Sequence, residues 1–415
     1  MSKNKNLQYI HKQRKHLRQK DTEAFYYSLV ENIPQFIFCK DLEGNFTFVN
    51  HLFCDYLEKP IDEIVGKNDF DFFPEDLARK YREDDQRVIE QNQTFEDVEQ
   101  NRISHHETKY VHVVKTPIHD ARGQVIGIQG IFWDITERIR AEEDLRNANE
   151  RMKHNLIAAA KVQRGFIPEK PPIIPGYQFG WIFEPSEYVG GDLLNVIRLD
   201  ENNWAFYVLD VSGHGVPSAL LSVTISHMID QLSISRETLE EHLADRSDPY
   251  ELFDLRKMIH VLNKRFPGDP TKFCTLLYAI LNTEEASVRW VRAGHVPPLL
   301  IKRDGVEVRY LHDSGGNCIS SLFTHENNIK VSKIYLEPGD RFLIFTDGII
   351  EAMHDYEEYE YDRLAEVMKQ TISVPLQDSL QKAYDDAAQW TGRQGFSDDV
   401  TLLALERAIE PYIRI

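Results

Sequence analysis

Apolar residues along the chain fall into three regimes. Between about Glu23 and Arg138, short strand-like runs at 33–38 (IPQFIF) and 46–49 (FTFV) flank the turn-prone Asp41-Leu42-Glu43-Gly44-Asn45. A helical stretch of mixed charge runs from Pro74 to Gln91, and strand-like runs follow at 109–116 and 124–133 around a turn at Asp120-Ala121-Arg122-Gly123. A strand pair, short helices and a closing meander make a compact α+β unit.

The second regime is helical. Ala141, Leu145, Ala148, Met152, Asn155, Ala159, Val162 and Phe166 recur at alternating steps of four and three, with charges between them. This heptad seam predicts a coiled-coil linker helix over 139–167, pairing in parallel with a second copy through 141–166. Asn155 inside the seam would fix register at some cost in stability. Pro168, Pro171, Pro172 and Pro175 end the helix and form a connection over 168–175.

From Gly176 to about residue 408 strands dominate. They are predicted at 177–184, 190–199, 203–210, 273–281, 287–293, 297–302, 306–311, 330–336, 341–346 and 400–406, with helices near 216–234, 249–265, 361–371 and 376–391. So many strands with grouped helices predict a β-sandwich of two antiparallel sheets flanked by helices, and an α+β class for the whole chain.

Length and composition narrow the picture. The 415 residues are enough for roughly two or three domains, and 42% hydrophobic with 11% aromatic residues excludes wholesale disorder. Lys and Arg number 48 against 67 Asp and Glu, a net charge of −19, so the chain has no global attraction for nucleic acid or anionic lipid. Residues 1–22 are the exception, a basic segment read as a solvated end, and 409–415 are read as a tail. Cys39, Cys54, Cys274 and Cys318 form no CxxC pair, and the apolar runs are far shorter than the ~20 residues of a membrane span. A reduced, cytoplasmic protein without membrane insertion is expected.

The chemistry lies in carboxylates where strands meet turns. Asp192 follows Gly190-Gly191, Asp210 ends the run Trp204–Leu209, Asp347 precedes Gly348, and Asp398-Asp399 open the last strand. A carboxylate at a strand end needs water, a hydrogen bond or a cation. Several together, beside glycines that leave room for a close ligand and without Cys or His, suit Mg²⁺ or Mn²⁺. Two such ions can activate a water and clamp a phosphoryl group.

Two family resemblances follow. "IPQFIFCKDLEGNFTFVN", "VGKNDFDFFPEDLARKYREDDQRVIE" and "GQVIGIQGIFWDITERIRAEEDL" resemble a PAS sensor domain, assigned to 23–138, with the exit Asp134-Ile135-Thr136-Glu137-Arg138 typical of that family. Its ligand is unknown. Cys39 and Cys54 lie outside a flavin-thiol motif, the helix 74–91 lacks histidine for a haem, and His105, His106, His112 and His119 read as surface residues.

"VGGDLLN", "FYVLDVSGHGVPSALLS", "FCTLLYAILN", "VRAGHVPPLLI", "LEPGDRFLIFTDGIIEA" and "FSDDVTLLAL" resemble, in order and spacing, the SpoIIE-like branch of metal-dependent serine/threonine phosphatases, the PPM or protein phosphatase 2C superfamily. The resemblance covers 176–408. It implies two Mn²⁺ or Mg²⁺ ions, with Asp192 a metal ligand, Asp210 the bridging ligand, the Val211 carbonyl completing one site, and Asp347 with Asp398 or Asp399 supplying the rest. The resemblance implies Asp192 and Asp210 as the catalytic pair. A water is the implied nucleophile. The implied substrate is a phosphorylated protein, an anti-sigma-factor antagonist in a partner-switching pathway.

Leu193-Leu194-Asn195 depart from the aromatics and Asp usual there, which is expected to alter the surrounding pocket. His214 reads as a proton donor or a stabiliser of the Asp210 turn, and His295 in Ala-Gly-His as structural. The competing readings are a catalytically inactive phosphatase-like scaffold and a PAS-linked diguanylate cyclase. Against the cyclase, Leu193-Leu194 replaces the Glu-Phe that follows its Gly-Gly-Asp.

Overall fold

The computed structural model describes residues 24–104, 107–234, 254–266, 271–322, 329–392 and 395–409. The basic segment 1–22, His105, His106, residues 249–253 of the helix expected at 249–265, and residues 410–415 lie outside the described residues. The chain divides into two compact units, Met1–Glu150 and Arg151–Ile415.

In the first unit a helix α1 (24–32) leads into β1 (Phe36–Asp41) and β2 (Phe46–Val49). Then come α2 (His51–Leu57), α3 (Ile61–Ile64) and α4 (Glu75–Gln91). β3 (Phe95–Ser104), β4 (Glu107–His119) and β5 (Val125–Asp134) close an antiparallel sheet of order β2-β1-β5-β4-β3. The first strand starts three residues later than the apolar run because Gln35 N–H turns back onto the Ile33 carbonyl at 2.8 Å. β3 escapes the hydrophobic pattern altogether, since FEDVEQNRIS is mostly polar; it is the sheet edge and pairs only with β4.

The core packs Phe38, Phe46, Val49, Phe53, Ile64, Val88 and Ile128. Beside them lies a charge network closed to solvent. Lys40 Nζ donates to Asp69 at 2.6 Å and Asp85 at 2.8 Å, and Lys115 Nζ donates to the other Asp85 oxygen at 2.6 Å. An internal cavity of ≈ 40 Å³ between Phe38, Phe46, Phe132, Lys40 and Lys115 has room for a few waters.

The second unit begins within α5 (Thr136–Arg164), which starts and ends three residues before the span expected from the seam. Gly165 N–H caps it on the Lys161 and Val162 carbonyls, and Phe166, expected as the last seam position, instead packs against the core of this unit. Of the other seam positions Leu145, Met152 and Val162 are 64%, 62% and 65% exposed.

One sheet contains β7 (Leu193–Arg198), β8 (Asn203–Val211), β9 (Cys274–Asn282), β10 (Ser287–Ala293) and β13 (Ser332–Tyr335), in the order β13-β10-β9-β8-β7. The other contains β6 (Tyr177–Glu184), β11 (Leu299–Ile301), β12 (Val308–Tyr310), β14 (Arg341–Phe345) and β17 (Val400–Arg407), in the order β12-β11-β14-β17-β6. All pairings within both sheets are antiparallel.

Strand alternation builds three apolar layers. Along β8, Ala205, Tyr207, Leu209 and Val211 face α6 (Val216–Ile234) and α7 (Leu255–Arg265), whereas Phe206 and Val208 face Phe342, Ile344, Leu403 and Leu405 of the opposing sheet. The far side of the second sheet is covered by α9 (Glu360–Gln370) and α10 (Leu376–Thr391). After β14 a short helix α8 (Asp347–Ile350) stands where the sequence reads a turn, and the hairpin β15 (Met353–His354) and β16 (Glu357–Glu358) leads on to α9. The expected sandwich of two antiparallel sheets flanked by helices is the observed one. Among the described residues no helix is long and apolar enough to cross a membrane.

Asp85 gives a stability prediction. Burial opposes its ionisation, but Lys40 and Lys115 outweigh burial and hold its carboxyl below the ordinary range. A depressed acid stabilises above its unfolded pKa, so this contribution is present above pH ~4 and lost as pH falls further. Asp85→Ala leaves two buried ammoniums short of a partner. It should cost about 3 kcal/mol or more at pH 7, read by urea unfolding of the PAS unit's signal.

Candidate metal centre

The alternation that fills the interlayer also carries polar residues to its end. On β8 the residues facing the opposing sheet run Phe206, Val208, then Asp210. Thr275, its register partner on β9, lies in line with Leu277 and Ala279. On β14 and β17 the same parity brings Thr346 after Ile344, and Thr401 and Asp399 before Leu403. Asp192 stands one step before Leu193, in phase with Leu194. Because every pairing is antiparallel, these strand ends meet at one rim of the sandwich.

The rim is tied by specific bonds. Thr346 Oγ1 donates to Asp192 Oδ2 at 2.8 Å and accepts the Thr401 N–H at 3.0 Å. Asp399 accepts from Gly191 N–H at 2.6 Å and from Ser186 N–H at 2.8 Å, with the Ser186 hydroxyl at 3.1 Å. Among the described residues, Asp398 accepts from the Asp399 N–H at 2.8 Å, and it is the more exposed of the two. Asp347 opens α8, where the N–H groups of its own residue and Gly348 face its carboxylate. Val211 N–H reaches the Gly191 carbonyl at 3.3 Å. The glycines do not leave room for a ligand as expected. A Cβ on Gly190 would fall on the Asp399 carboxylate, and one on Gly348 on the Asp399 carbonyl, so protein atoms already fill that space.

The model for the family Stage II sporulation protein E (SpoIIE) matches residues 200–408, half of the chain. The chain belongs to the SpoIIE family. A PAS fold model matches residues 30–140, so a PAS domain precedes a SpoIIE-type phosphatase domain. The chain is 23% identical over 267 residues to phosphoserine phosphatase RsbU of Bacillus subtilis, covering 64% of this chain and 74% of the relative. It is 27% identical over 199 residues to phosphoserine phosphatase RsbP of the same organism, covering 48% of this chain and less than half, 46%, of that relative. The SiaA-PP2C domain of Pseudomonas aeruginosa shares the fold, with a TM-score of 0.50 at 18% identity over 62% of this chain and 98% of the domain.

In this SpoIIE domain the electrostatics of the rim are those of like charges held close. Burial raises Asp210, and the negative charges of Asp347, Asp398 and Asp399 add to it, lifting the carboxyl to about 7. Burial, then Asp210 and Asp399, raise Asp192 well above the ordinary range. Asp347 and Asp398 are raised as well, by burial first. Among the described residues, no lysine or arginine is among the largest influences on Asp192 or Asp210. A divalent cation with oxygen ligands is the counter-charge that suits such a donor set. Among the described residues, no three His, Cys, Asp or Glu side chains stand close enough together to cage an ion as they lie. The donors are therefore gathered but not closed.

Leu193 and Leu194 do not reshape a pocket as expected. They are fully buried on opposite faces of β7, one against the helices and one between the sheets. Asn195 donates to Asp230 on α6. His214 stands exposed, 3.3 Å from Glu187, with no bond to Asp210. Sequence reasoning missed Gln163 near the end of α5. Its amide exchanges two bonds with the backbone of Gly190, donating at 2.7 Å and accepting at 3.2 Å. A polar residue outside the heptad positions carried no signal that it would be buried.

The raised carboxyls set a pH prediction. A folded-state pKa above the unfolded value means the folded domain binds more protons, so stability is lost as pH rises from ~4 to ~7. In EDTA the melting temperature should fall by several degrees between pH 5 and 8, and Mn²⁺ should restore it most at the higher pH. Thermal melts with and without the cation read this directly.

Proposed function

We propose that the protein is a PAS-regulated, divalent-metal-dependent phosphatase that hydrolyses phosphoserine or phosphothreonine on a protein. The observation that carries this reading is the meeting of Asp192, Asp210, Asp347, Asp398 and Asp399 at one rim of a SpoIIE-type sandwich. Mn²⁺ or Mg²⁺, two per domain, would supply Lewis acidity, lowering the pKa of a water and neutralising phosphoryl charge. Asp210 would hold both ions, with Asp192 and the Val211 carbonyl on one side and Asp347 with Asp398 on the other. Asp398 is preferred to Asp399, because Asp399 is already engaged by Gly191 and Ser186. The relatives named phosphoserine phosphatases support a phosphoprotein substrate, proposed to be an anti-sigma-factor antagonist in a partner-switching pathway.

The exposed seam of α5 supports a parallel homodimer, and the bonds of Gln163 to Gly190 link the end of that helix to the loop before Asp192. PAS-driven changes in helix packing would then bias closure of the metal site, in a cytoplasmic signalling protein. All the expected carboxylates are present, which counts against an inactive scaffold.

The test is phosphate release from a phosphoserine protein in Mn²⁺. Activity should need the metal, vanish in EDTA, and drop to the EDTA level in Asp210→Asn. Metal-independent turnover would sink the reading. Inserting four residues after Asn155 breaks the seam's register. It should change the rate at saturating Mn²⁺ and the mass in light scattering; if neither moves, the coupling through α5 is wrong.

A further inference from the structure

Thr346 follows the last residue of β14 and stands at the N-cap of α8, with φ −88 and ψ 162. A threonine in that position ordinarily accepts a hydrogen bond from a backbone N–H two or three residues on. This one makes no capping bond. Its hydroxyl lies instead in phase with Phe342 and Ile344, toward the space between the sheets, where Thr346, Asp192 and Thr401 are each 1% exposed or less.

Every bond of that hydroxyl can be counted. It has one proton to donate and two lone pairs to accept with. The Thr401 N–H occupies one lone pair at 3.0 Å. Two acceptors compete for the proton, Asp192 Oδ2 at 2.8 Å and the Asp399 carbonyl at 3.3 Å. The carboxylate is both the nearer and the charged acceptor, so the proton goes to Asp192. The Thr401 hydroxyl is buried without a hydrogen-bond partner, although it too favours the ionised form of Asp192. The Thr346 N–H in turn donates to the Thr401 carbonyl at 3.0 Å. β17 therefore grips Thr346 by its backbone and by its hydroxyl, and that fixed hydroxyl meets Asp192. The next residue along the chain is Asp347, a carboxylate assigned to the other ion.

We propose that Thr346 is a positioning residue whose hydroxyl orients the Asp192 carboxylate for the metal ions and ties it to the strand end that carries Asp347. This rests on the two-metal reading of the site. One Asp192 oxygen is engaged by a donor that is itself immobilised, which limits how the carboxylate can turn. Loss of such a partner behind a ligand typically lowers metal affinity by about 10- to 100-fold.

The test is calorimetric Mn²⁺ binding to the full-length protein, with thermal melts in EDTA and in Mn²⁺. Thr346→Val keeps the shape, removes the hydroxyl, and should weaken Mn²⁺ binding about 10-fold or more. It also strips the Thr401 N–H of its acceptor, so melting in EDTA should occur at lower temperature. Thr346→Ser keeps the hydroxyl and should retain most of the affinity. Thr371→Val separates stability from orientation. Thr371 is a buried residue at the end of α9 whose hydroxyl bonds the Val367 carbonyl and Ser379, and its loss should lower the melting temperature with Mn²⁺ affinity unchanged. Unchanged Mn²⁺ affinity in Thr346→Val, with only the melting temperature lowered, would overturn this inference and leave the phosphatase reading standing. So would a loss of about 10-fold in Thr346→Ser or in Thr371→Val. Wild-type protein that binds no Mn²⁺ would overturn both.

Discussion

Carboxylates gathered where the two sheets end repel one another, and much of the architecture around them exists to keep them there. The cost of burying Asp192 and Asp210 side by side is visible in their raised pKa values. Among the described residues, a neutral hydroxyl and backbone N–H groups hold the cluster: Thr346 on Asp192, and Gly191 with Ser186 on Asp399. A structural lysine would have relieved the repulsion and removed the reason for a metal to bind.

The helix beside this rim is attached in an unusual manner. α6 buries Ser218, Ser222, Ser226 and Ser233 along with Ala219, Ile225 and Ile229. Ser218 donates to the Ser212 carbonyl, Ser226 meets the Tyr207 hydroxyl at 2.8 Å, and Ser233 meets the Tyr278 hydroxyl at 2.9 Å. Hydroxyl contacts contribute less than apolar packing would and are lost one at a time. With Gln163 bonded to Gly190 and standing 3.4 Å from Ser222, the end of α5, the loop before Asp192 and α6 form one polar seam next to the metal centre.

The PAS unit uses buried charge differently. Lys40 and Lys115 face Asp69 and Asp85, so its network is internally neutralised and ties α4 and the turn at Asp69–Asp71 to β1 and β4. Apolar side chains of similar volume would serve stability as well or better. The network borders an aromatic-lined cavity with room for a few water-sized molecules.

Much of this protein was legible one segment at a time. Helices 216–234 and 376–391 and strands 177–184 and 287–293 stand where apolar periodicity puts them, because each buries a continuous face. The carboxylates were equally visible, since a charge at the end of an apolar strand breaks the pattern. β3 was not, because an edge strand needs little apolar surface; nor was the displaced end of α5, because Phe166 fits a heptad and a sandwich core equally well. Which side chains meet at the rim depends on the pairing of strands far apart in sequence. That pairing separates Asp398 from Asp399, fills the space beside Gly190 and Gly348, buries Gln163, and sets His295 against Thr275. Local periodicity determined the elements and their acidic ends; long-range antiparallel register decided which donors face one another, because no local pattern encodes a contact made across two sheets.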